Sequence, residues 1–136
     1  MPARPLYVLD ANVIVSAVLL PHSVTRKAFD KACKQGRIVV SEAVINELDD
    51  VLRRPRLNKY IHKEERIQFL MVLLREAQLV RVACIVTDCR DLKDNKYLEL
   101  AIQTKATCII SGDQDLRVLS PFRGIPVLTP REFLDL

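Results

Sequence analysis

Short apolar segments alternate with longer amphipathic segments along this chain. Residues 6–9 and 37–40 are short, mostly apolar runs typical of strands buried on both faces of a sheet, and 79–86, 107–111 and 126–128 are similar. Helical spacing and capping residues predict helices at 12–20, 24–36, 41–53, 63–78, 94–105 and 113–119, and a closing helix opened by Thr129 and Pro130. The alternation predicts an α/β fold, a three-layer sandwich with a mainly parallel five-stranded sheet, in a single domain, 1–136.

The predicted helix 63–78 has the clearest apolar stripe. Its apolar positions at helical spacing are Ile67, Leu70, Met71, Leu74 and Ala77. Such a stripe can face the core of its own chain or a second copy of the chain. We expect it to face the core.

Composition narrows the chemistry that the chain can perform. Of its 136 residues, 49% are hydrophobic, which is enough to form a sizeable core and disfavours disorder. The net charge of +4 permits a polyanionic partner without requiring one. With only three glycines and two histidines, the chain lacks a glycine-rich phosphate loop and has little from which to build a serine or cysteine triad. Carboxylates remain as the main catalytic groups.

Cysteine usage and hydropathy predict a cytoplasmic protein with no membrane segment. Three of the four cysteines (Cys33, Cys84, Cys89 and Cys108) lie in apolar runs, where a thiol usually behaves as a small buried hydrophobe. The spacing of Cys84 and Cys89 has no matching second pair, which disfavours a zinc site. Residues 11–20 are apolar but too few to span a bilayer, and Asn12 interrupts them.

Two aspartates follow predicted strands. Asp10 ends the first strand, and Asp113 comes just after the strand 107–111, with Asp115 two residues further on. Ligands of open parallel sheets gather beyond the carboxyl ends of strands, so the two acids are candidates for one site. Alternatively, each simply caps the helix that follows it.

Three further acids lie beside apolar helix faces. Asp94 projects from the apolar side of the first turn of helix 94–105, and Asp91 is the simpler candidate for its cap. On helix 41–53, Glu47 and Asp49 border opposite edges of the apolar stripe, and Asp50 faces away. Helical spacing does not choose between Glu47 and Asp49.

Four carboxylates brought together need a cation to remain ionised. Mg²⁺ or Mn²⁺ is the natural choice when phosphate is the substrate, and one or two such ions lower the pKa of a bound water. Asn12, two residues after Asp10, can orient a ligand or a water beside such a centre.

Four segments in order along the chain resemble the PIN domain family, and in particular its prokaryotic branch of toxin components of toxin–antitoxin pairs (VapC-like ribonucleases). They are 8–13 (VLDANV), 41–48 (SEAVINEL), 91–101 (DLKDNKYLELA) and 110–116 (ISGDQDL), and the likeness extends through the closing 125–134. Leu92 departs from the proline that relatives often have there, a loop change that removes no acid.

This resemblance implies a Mg²⁺- or Mn²⁺-dependent ribonuclease with the strand order 3-2-1-4-5, in which Asp10 and Asp113 are neighbours. It implies catalytic and metal-binding roles for Asp10, Glu47, Asp94 and Asp113, with Asp115 as a variable fifth ligand. It thereby selects Glu47 over Asp49. A homodimer and a cognate antitoxin protein are the implied partners, and RNA is the implied substrate.

The densest basic stretch connects two predicted helices. It contains Arg53, Arg54, Arg56 and Lys59, followed by Lys63. It is either a solvated connection or a contact for the phosphate backbone of RNA, in which case binding is salt-dependent and largely indifferent to base sequence.

Two alternatives to a nuclease remain open at this point. A receiver-like signalling domain would use Asp88 as its phospho-acceptor, although Ala11 stands where such a domain needs a second acid, and 129–131 supplies no lysine after the last strand. The other is a non-catalytic module that only binds RNA or a partner protein.

Overall fold

A five-stranded parallel sheet is the framework of the computed structural model, which describes residues 4–57 and 59–136. Within these residues the strand order is β3-β2-β1-β4-β5, and every neighbouring pair is parallel. The strands are β1 (Leu6–Leu9), β2 (Arg37–Val40), β3 (Gln78–Leu79), β4 (Cys108–Ile110) and β5 (Val127–Leu128). The predicted α/β class and the order 3-2-1-4-5 are confirmed.

Helices flank the sheet at the positions that the sequence predicts, within a few residues. They are α1 (Ala11–Leu19), α2 (Val24–Gln35), α3 (Glu42–Leu52), α4 (Lys63–Glu76), α5 (Asn95–Thr104), α6 (Gln114–Arg117) and α7 (Pro130–Leu134), with short 3-10 turns at Pro55–Leu57 and Leu92–Asp94. Ser41 caps α3, as predicted, by accepting the Val44 N–H, and Thr129 forms a capping box with Glu132 at α7. In the described part of the chain, no helix is both long and apolar enough to cross a membrane.

The central strand β1 is buried between β2 and β4, which explains its uninterrupted apolar run. At the entry to the sheet, Gly36 lies so close to Pro5 that a Cβ at this position would collide with the Pro5 carbonyl oxygen. That carbonyl accepts the Arg37 N–H at 2.9 Å, so a glycine before β2 allows β2 to begin beside β1. At the exit, Leu9 pairs with Ile110, and the register brings the residues that follow them side by side.

The third apolar run is a strand over a much shorter length than predicted. Only Gln78–Leu79 pairs with β2, and residues 80–86 form no further strand. Side chains of α5 hold this segment in place of a neighbouring strand: the Gln103 side chain accepts the Ala83 N–H at 3.1 Å, and Glu99 accepts the Val86 N–H at 2.9 Å. Segment 80–86 therefore lies against α5, with alternate residues half-buried.

The predicted apolar face of α4 is partly wrong. Leu73, which was outside the predicted stripe, is fully buried, and Phe69 packs against Phe29 at a ring-centroid distance of 6.0 Å. Leu70 and Ala77 do face the core, but Ile67, Met71 and Leu74 are exposed. Residues 69–74 are all apolar, so periodicity does not determine which face of this helix packs inward.

Candidate active site

Asp10 and Ser111 lie side by side where β1 and β4 end. The Asp10 carboxylate, 4% exposed, caps α1 by accepting the Val13 N–H at Oδ1 (2.8 Å), and its Oδ2 accepts the hydroxyl of Ser111. Ser111 is completely buried, and its oxygen also accepts the Asp113 N–H at 3.0 Å. Burial raises the pKa of Asp10, and the hydrogen bonds that its carboxylate accepts from Ser111 and from the Val13 N–H lower it. One serine thus holds two acids in a fixed relation.

Asp113 lies beyond β4 at the start of α6. Its Oδ1 accepts the Asp115 N–H at 2.8 Å, which makes Asp113 the cap of this short helix. Its charge contributes to raising the pKa of Asp10. Asp10 and Asp113 therefore both cap helices, as the simpler interpretation predicts, and both also lie beyond the carboxyl ends of the neighbouring strands β1 and β4.

Asp94 is buried at the junction between the turn Leu92–Asp94 and α5. Its Oδ2 is buried and accepts no hydrogen bond from any donor among the described residues. Burial raises the pKa of Asp94 to about 7, and the nearby carboxyl groups of Asp113, Asp91 and Glu47 add to the effect. Asp91, predicted as the cap of helix 94–105, caps the short turn before that helix instead, by accepting the Lys93 N–H at 3.1 Å. Asp94 therefore has one buried carboxyl oxygen that no donor of the described residues satisfies.

Glu47 reaches the other acids from the middle of α3. It is half-buried, its Oε2 forms an ion pair with Nζ of Lys96, and its charge contributes to the raised pKa of Asp94 and of Asp10. Asp49 instead pairs with Arg53 on the same helix, at 2.9 Å from Nε. The structure therefore brings Glu47, not Asp49, to the other acids.

Tyr97 lies beneath these residues. Its hydroxyl oxygen accepts the Ala11 N–H at 2.9 Å, and the side chain is almost completely buried. Burial raises the pKa of this phenol, and the charges of Glu47 and Asp10 raise it further. Tyr97 therefore stays protonated and links α5 to the start of α1.

The donor chemistry of these residues fits a hard divalent cation, although the arrangement is not a finished metal site. Across the residues described, no three side chains of His, Cys, Asp or Glu converge closely enough to hold an ion. A bound cation would nevertheless satisfy Oδ2 of Asp94 and offset the repulsion between the carboxylates of Asp94 and Asp113. Without a cation, ionisation of both acids would increase that repulsion. Lys96 supplies the positive charge at Glu47.

The remaining predicted residues differ in their exposure and contacts. Asn12 is exposed and lines a pocket of about 330 Å³ that also contains Asp10 and Asp113. Asp115 is half-buried, and its backbone carbonyl accepts the Cys89 thiol. The basic residues Arg53, Arg54, Arg56 and Lys59 are exposed beyond the far end of α3. Asp88, the acceptor in the receiver alternative, is exposed and outside every strand of the described sheet.

A second cavity of about 530 Å³ lies between α3, residues 80–85 and α5. We call it the Lys96 groove: the first turn of α3, residues 80–85, Lys96 and Glu99 line it. Lys96 is thus shared between the acids and the groove.

Sequence reasoning missed Ser111, Lys96 and Tyr97 as members of the site. Ser111 carried a signal, because it is the polar residue that ends an apolar strand two residues before Asp113. Lys96 and Tyr97 carried none, since their partners Glu47 and Ala11 lie 49 and 86 residues away along the chain.

Comparison with known proteins gives a family and a fold. Residues 6–115 match the family model described as PIN domain. An uncharacterized protein of Methanocaldococcus jannaschii, MJ1680, is 30% identical over 139 aligned positions, which cover 94% of this chain and 88% of that protein.

Solved structures with similar folds have much lower sequence identity. PAE2754 from Pyrobaculum aerophilum has a TM-score of 0.65 at 14% identity, over 96% of this chain and 88% of that one. VapBC2 from Rickettsia felis, bound to a DNA fragment from its promoter, has a TM-score of 0.61 at 16% identity, over 91% and 98%. VapC20 from Mycobacterium tuberculosis, described as a Sarcin-Ricin loop cleaving toxin, has a TM-score of 0.57 at 10% identity, over 88% and 98%.

Proposed function

Because this chain belongs to the PIN domain family, we propose that it is a metal-dependent nuclease that hydrolyses phosphodiester bonds in RNA. The observation that carries the proposal is a buried oxygen of Asp94, close to the carboxyl group of Asp113, that no hydrogen-bond donor in residues 4–57 and 59–136 satisfies. A buried acid in this state is stabilised by a cation. Asp10 and Glu47 complete the set of oxygen donors.

In the proposed mechanism, Asp10, Asp94 and Asp113 hold Mg²⁺ or Mn²⁺, as one or two ions, and Asp115 is a variable further ligand. A bound divalent ion supplies an acidified water and stabilises negative charge on the phosphodiester. Glu47 binds metal or orients the attacking water, and Asn12 orients a ligand or water from the pocket beside Asp10. Ser111 fixes Asp10 and Asp113 through its two hydrogen bonds.

We further propose that the protein is the toxin of a toxin–antitoxin pair, acts in the cytoplasm and forms a homodimer. The support is the similarity of its fold to VapC20, a toxin that cleaves the Sarcin-Ricin loop, and to the VapBC2 assembly. RNA is then the substrate, and a cognate antitoxin protein is the partner. The exposed residues Arg53, Arg54, Arg56 and Lys59 are the proposed contact for more distant parts of the RNA backbone.

Cleavage of RNA in the presence of Mn²⁺ by the wild type, Asp10→Asn and Asp50→Asn tests the proposal. Asparagine can still cap α1, so Asp10→Asn is expected to fold but to lose about 100-fold or more of the activity. Asp50→Asn removes an exposed carboxylate on α3 and should behave as the wild type.

Equal cleavage by Asp10→Asn and the wild type, or cleavage that a chelator does not affect, would contradict the proposal. If the protein binds RNA but neither cleaves it nor binds Mn²⁺ in calorimetry, the non-catalytic alternative is correct.

A further inference from the structure

Lys96 connects the acids to the Lys96 groove. Its ammonium group forms an ion pair with Glu47, and the exposed fractions of the two side chains are only 19% and 29%. The same side chain lines the groove. A lysine that is held at the junction between an acidic cluster and a cavity differs from a solvated surface lysine such as Lys93, which is exposed.

The groove has the size and surface chemistry for one nucleotide. Its volume of about 530 Å³ is within the usual range for sites that bind small molecules. Asn46 is exposed and offers amide groups, and Ile85, 84% exposed, offers an apolar surface against which a base can pack. These two side chains therefore offer contacts to a base without selecting one particular base.

The charges of the groove restrict where a phosphate can bind. Arg81 and Lys96 contribute two positive charges, and Glu42 and Glu99 contribute two negative ones. Because these charges balance, the groove as a whole does not attract polyanions, and a phosphate contact has to be local. Glu99 accepts a hydrogen bond from the Val86 N–H, and Lys96 forms an ion pair with the candidate acid Glu47.

We propose that the Lys96 groove binds the RNA nucleotide next to the cleaved phosphodiester, and that Lys96 donates a hydrogen bond to a phosphate oxygen of that nucleotide. The ammonium group has three N–H donors, so Lys96 can maintain its ion pair with Glu47 and contact a phosphate at the same time. Lys96 thereby couples the position of Glu47 to the position of the substrate. This inference rests on the proposed function for the identity of the nucleic acid.

Binding of a short fluorescent single-stranded RNA of mixed sequence, measured by anisotropy at several salt concentrations, tests the proposal. The titrations are made in Ca²⁺, and gels check that the RNA stays intact. For Lys96→Met we expect affinity to fall about tenfold, and the slope of log K against log salt to become shallower by about 0.7, the value for one lost phosphate contact. Lys96→Arg keeps the charge and should keep the slope.

The matched control is Lys93→Met, which removes an exposed lysine near the start of the same helix and should leave affinity and slope unchanged. If Lys96→Met fails to fold, as judged by circular dichroism, then Arg81→Met tests the groove instead, because Arg81 is exposed. It is expected to weaken RNA binding about two- to fivefold.

The outcomes separate this inference from the proposed nuclease function. An unchanged salt slope in Lys96→Met overturns the phosphate contact, even if the wild type cleaves RNA. A reduced slope together with a wild type that cleaves no RNA supports the groove and contradicts the nuclease function. If Lys96→Met does not fold, unchanged binding by Arg81→Met overturns the groove.

Discussion

Ser111 donates its hydroxyl hydrogen bond to Asp10 across the boundary between β4 and β1, although the two residues are 101 positions apart along the chain. The contact follows from the pairing of Leu9 with Ile110, which places the next residue of each strand side by side. The orientation of the Asp10 carboxylate is therefore fixed by the register of the sheet. The same hydroxyl oxygen accepts the Asp113 N–H and extends this control to a second acid.

Replacing Ser111 by alanine should affect both stability and metal binding. It leaves the buried Oδ2 of Asp10 without its donor and the partly buried Asp113 N–H without its acceptor, which we expect to lower the free energy of unfolding by about 1–3 kcal/mol in urea titrations. Because Asp10 and Asp113 lose their common support, Mn²⁺ affinity in calorimetry should fall about 10- to 100-fold. Ser120→Ala is the control, since Ser120 accepts the Val127 N–H outside the acidic cluster. Equal Mn²⁺ affinities in the two variants would contradict the role assigned to Ser111.

Stability without metal should decrease as pH rises toward neutrality. The pKa of Asp94 is about 7 in the folded protein and 3.8 in an ordinary environment, so between these pH values the folded chain holds a proton that the unfolded chain releases. The free energy of unfolding of the wild type should therefore fall between about pH 4 and 7, and level off above that, relative to Asp94→Asn. Urea titrations in chelator across this range measure the difference. Parallel curves for the two proteins would show that Asp94 is not protonated in the folded state.

Mn²⁺ should stabilise the fold, and more so above neutral pH than below it. At a free Mn²⁺ concentration of about 100 times its Kd, the free energy of unfolding should rise by about 2.7 kcal/mol. The gain should shrink at pH 6, because a proton on Asp94 competes with the ion. Asp94→Asn and Asp113→Asn should lose most of the gain, and Asp50→Asn should keep it. An undiminished gain in both of the first two variants would place the ion elsewhere.

Two residues of α4 should respond very differently to truncation. Leu73 is 1% exposed, and Leu73→Ala should lower the free energy of unfolding by about 2–5 kcal/mol. Met71 is 65% exposed, and Met71→Ala should change it by less than about 0.5 kcal/mol. Urea unfolding of the two variants decides between the observed face of α4 and the stripe that the sequence predicts. Similar losses in both would favour the sequence-based stripe.

The strands could be predicted because most of them are buried on both faces, where apolar runs leave little ambiguity. The buried face of α4 could not be predicted, because apolar residues occur on all sides of this helix. Contact with Phe29 and its neighbours decides which of them are buried. Segment 80–86 has the composition of a strand but lies at an edge, where α5 side chains replace the missing neighbour.

The acids show the same limit. Asp10 and Asp113 could be predicted to converge, because their positions follow from strand ends and parallel order. Helical spacing does not choose between Glu47 and Asp49 as members of the site. The two differ in the basic side chain with which each forms an ion pair. Arg53 lies four residues after Asp49 and was available to sequence reasoning, whereas Lys96, the partner of Glu47, comes from a different helix. A contact between distant elements is the information that local spacing lacks.

The pairing of β1 with β4 also determines when the acids come together during synthesis of the chain. The ribosome synthesises Asp10 and Glu47 first, and Asp94, Ser111 and Asp113 follow more than 40 residues after Glu47. A nascent chain that has not yet reached β4 has no partner for that edge of β1 and no hydroxyl to orient Asp10. The complete set of acids therefore forms only after β4 and Asp113 have been synthesised, so a nascent chain that stops before β4 does not carry the assembled site.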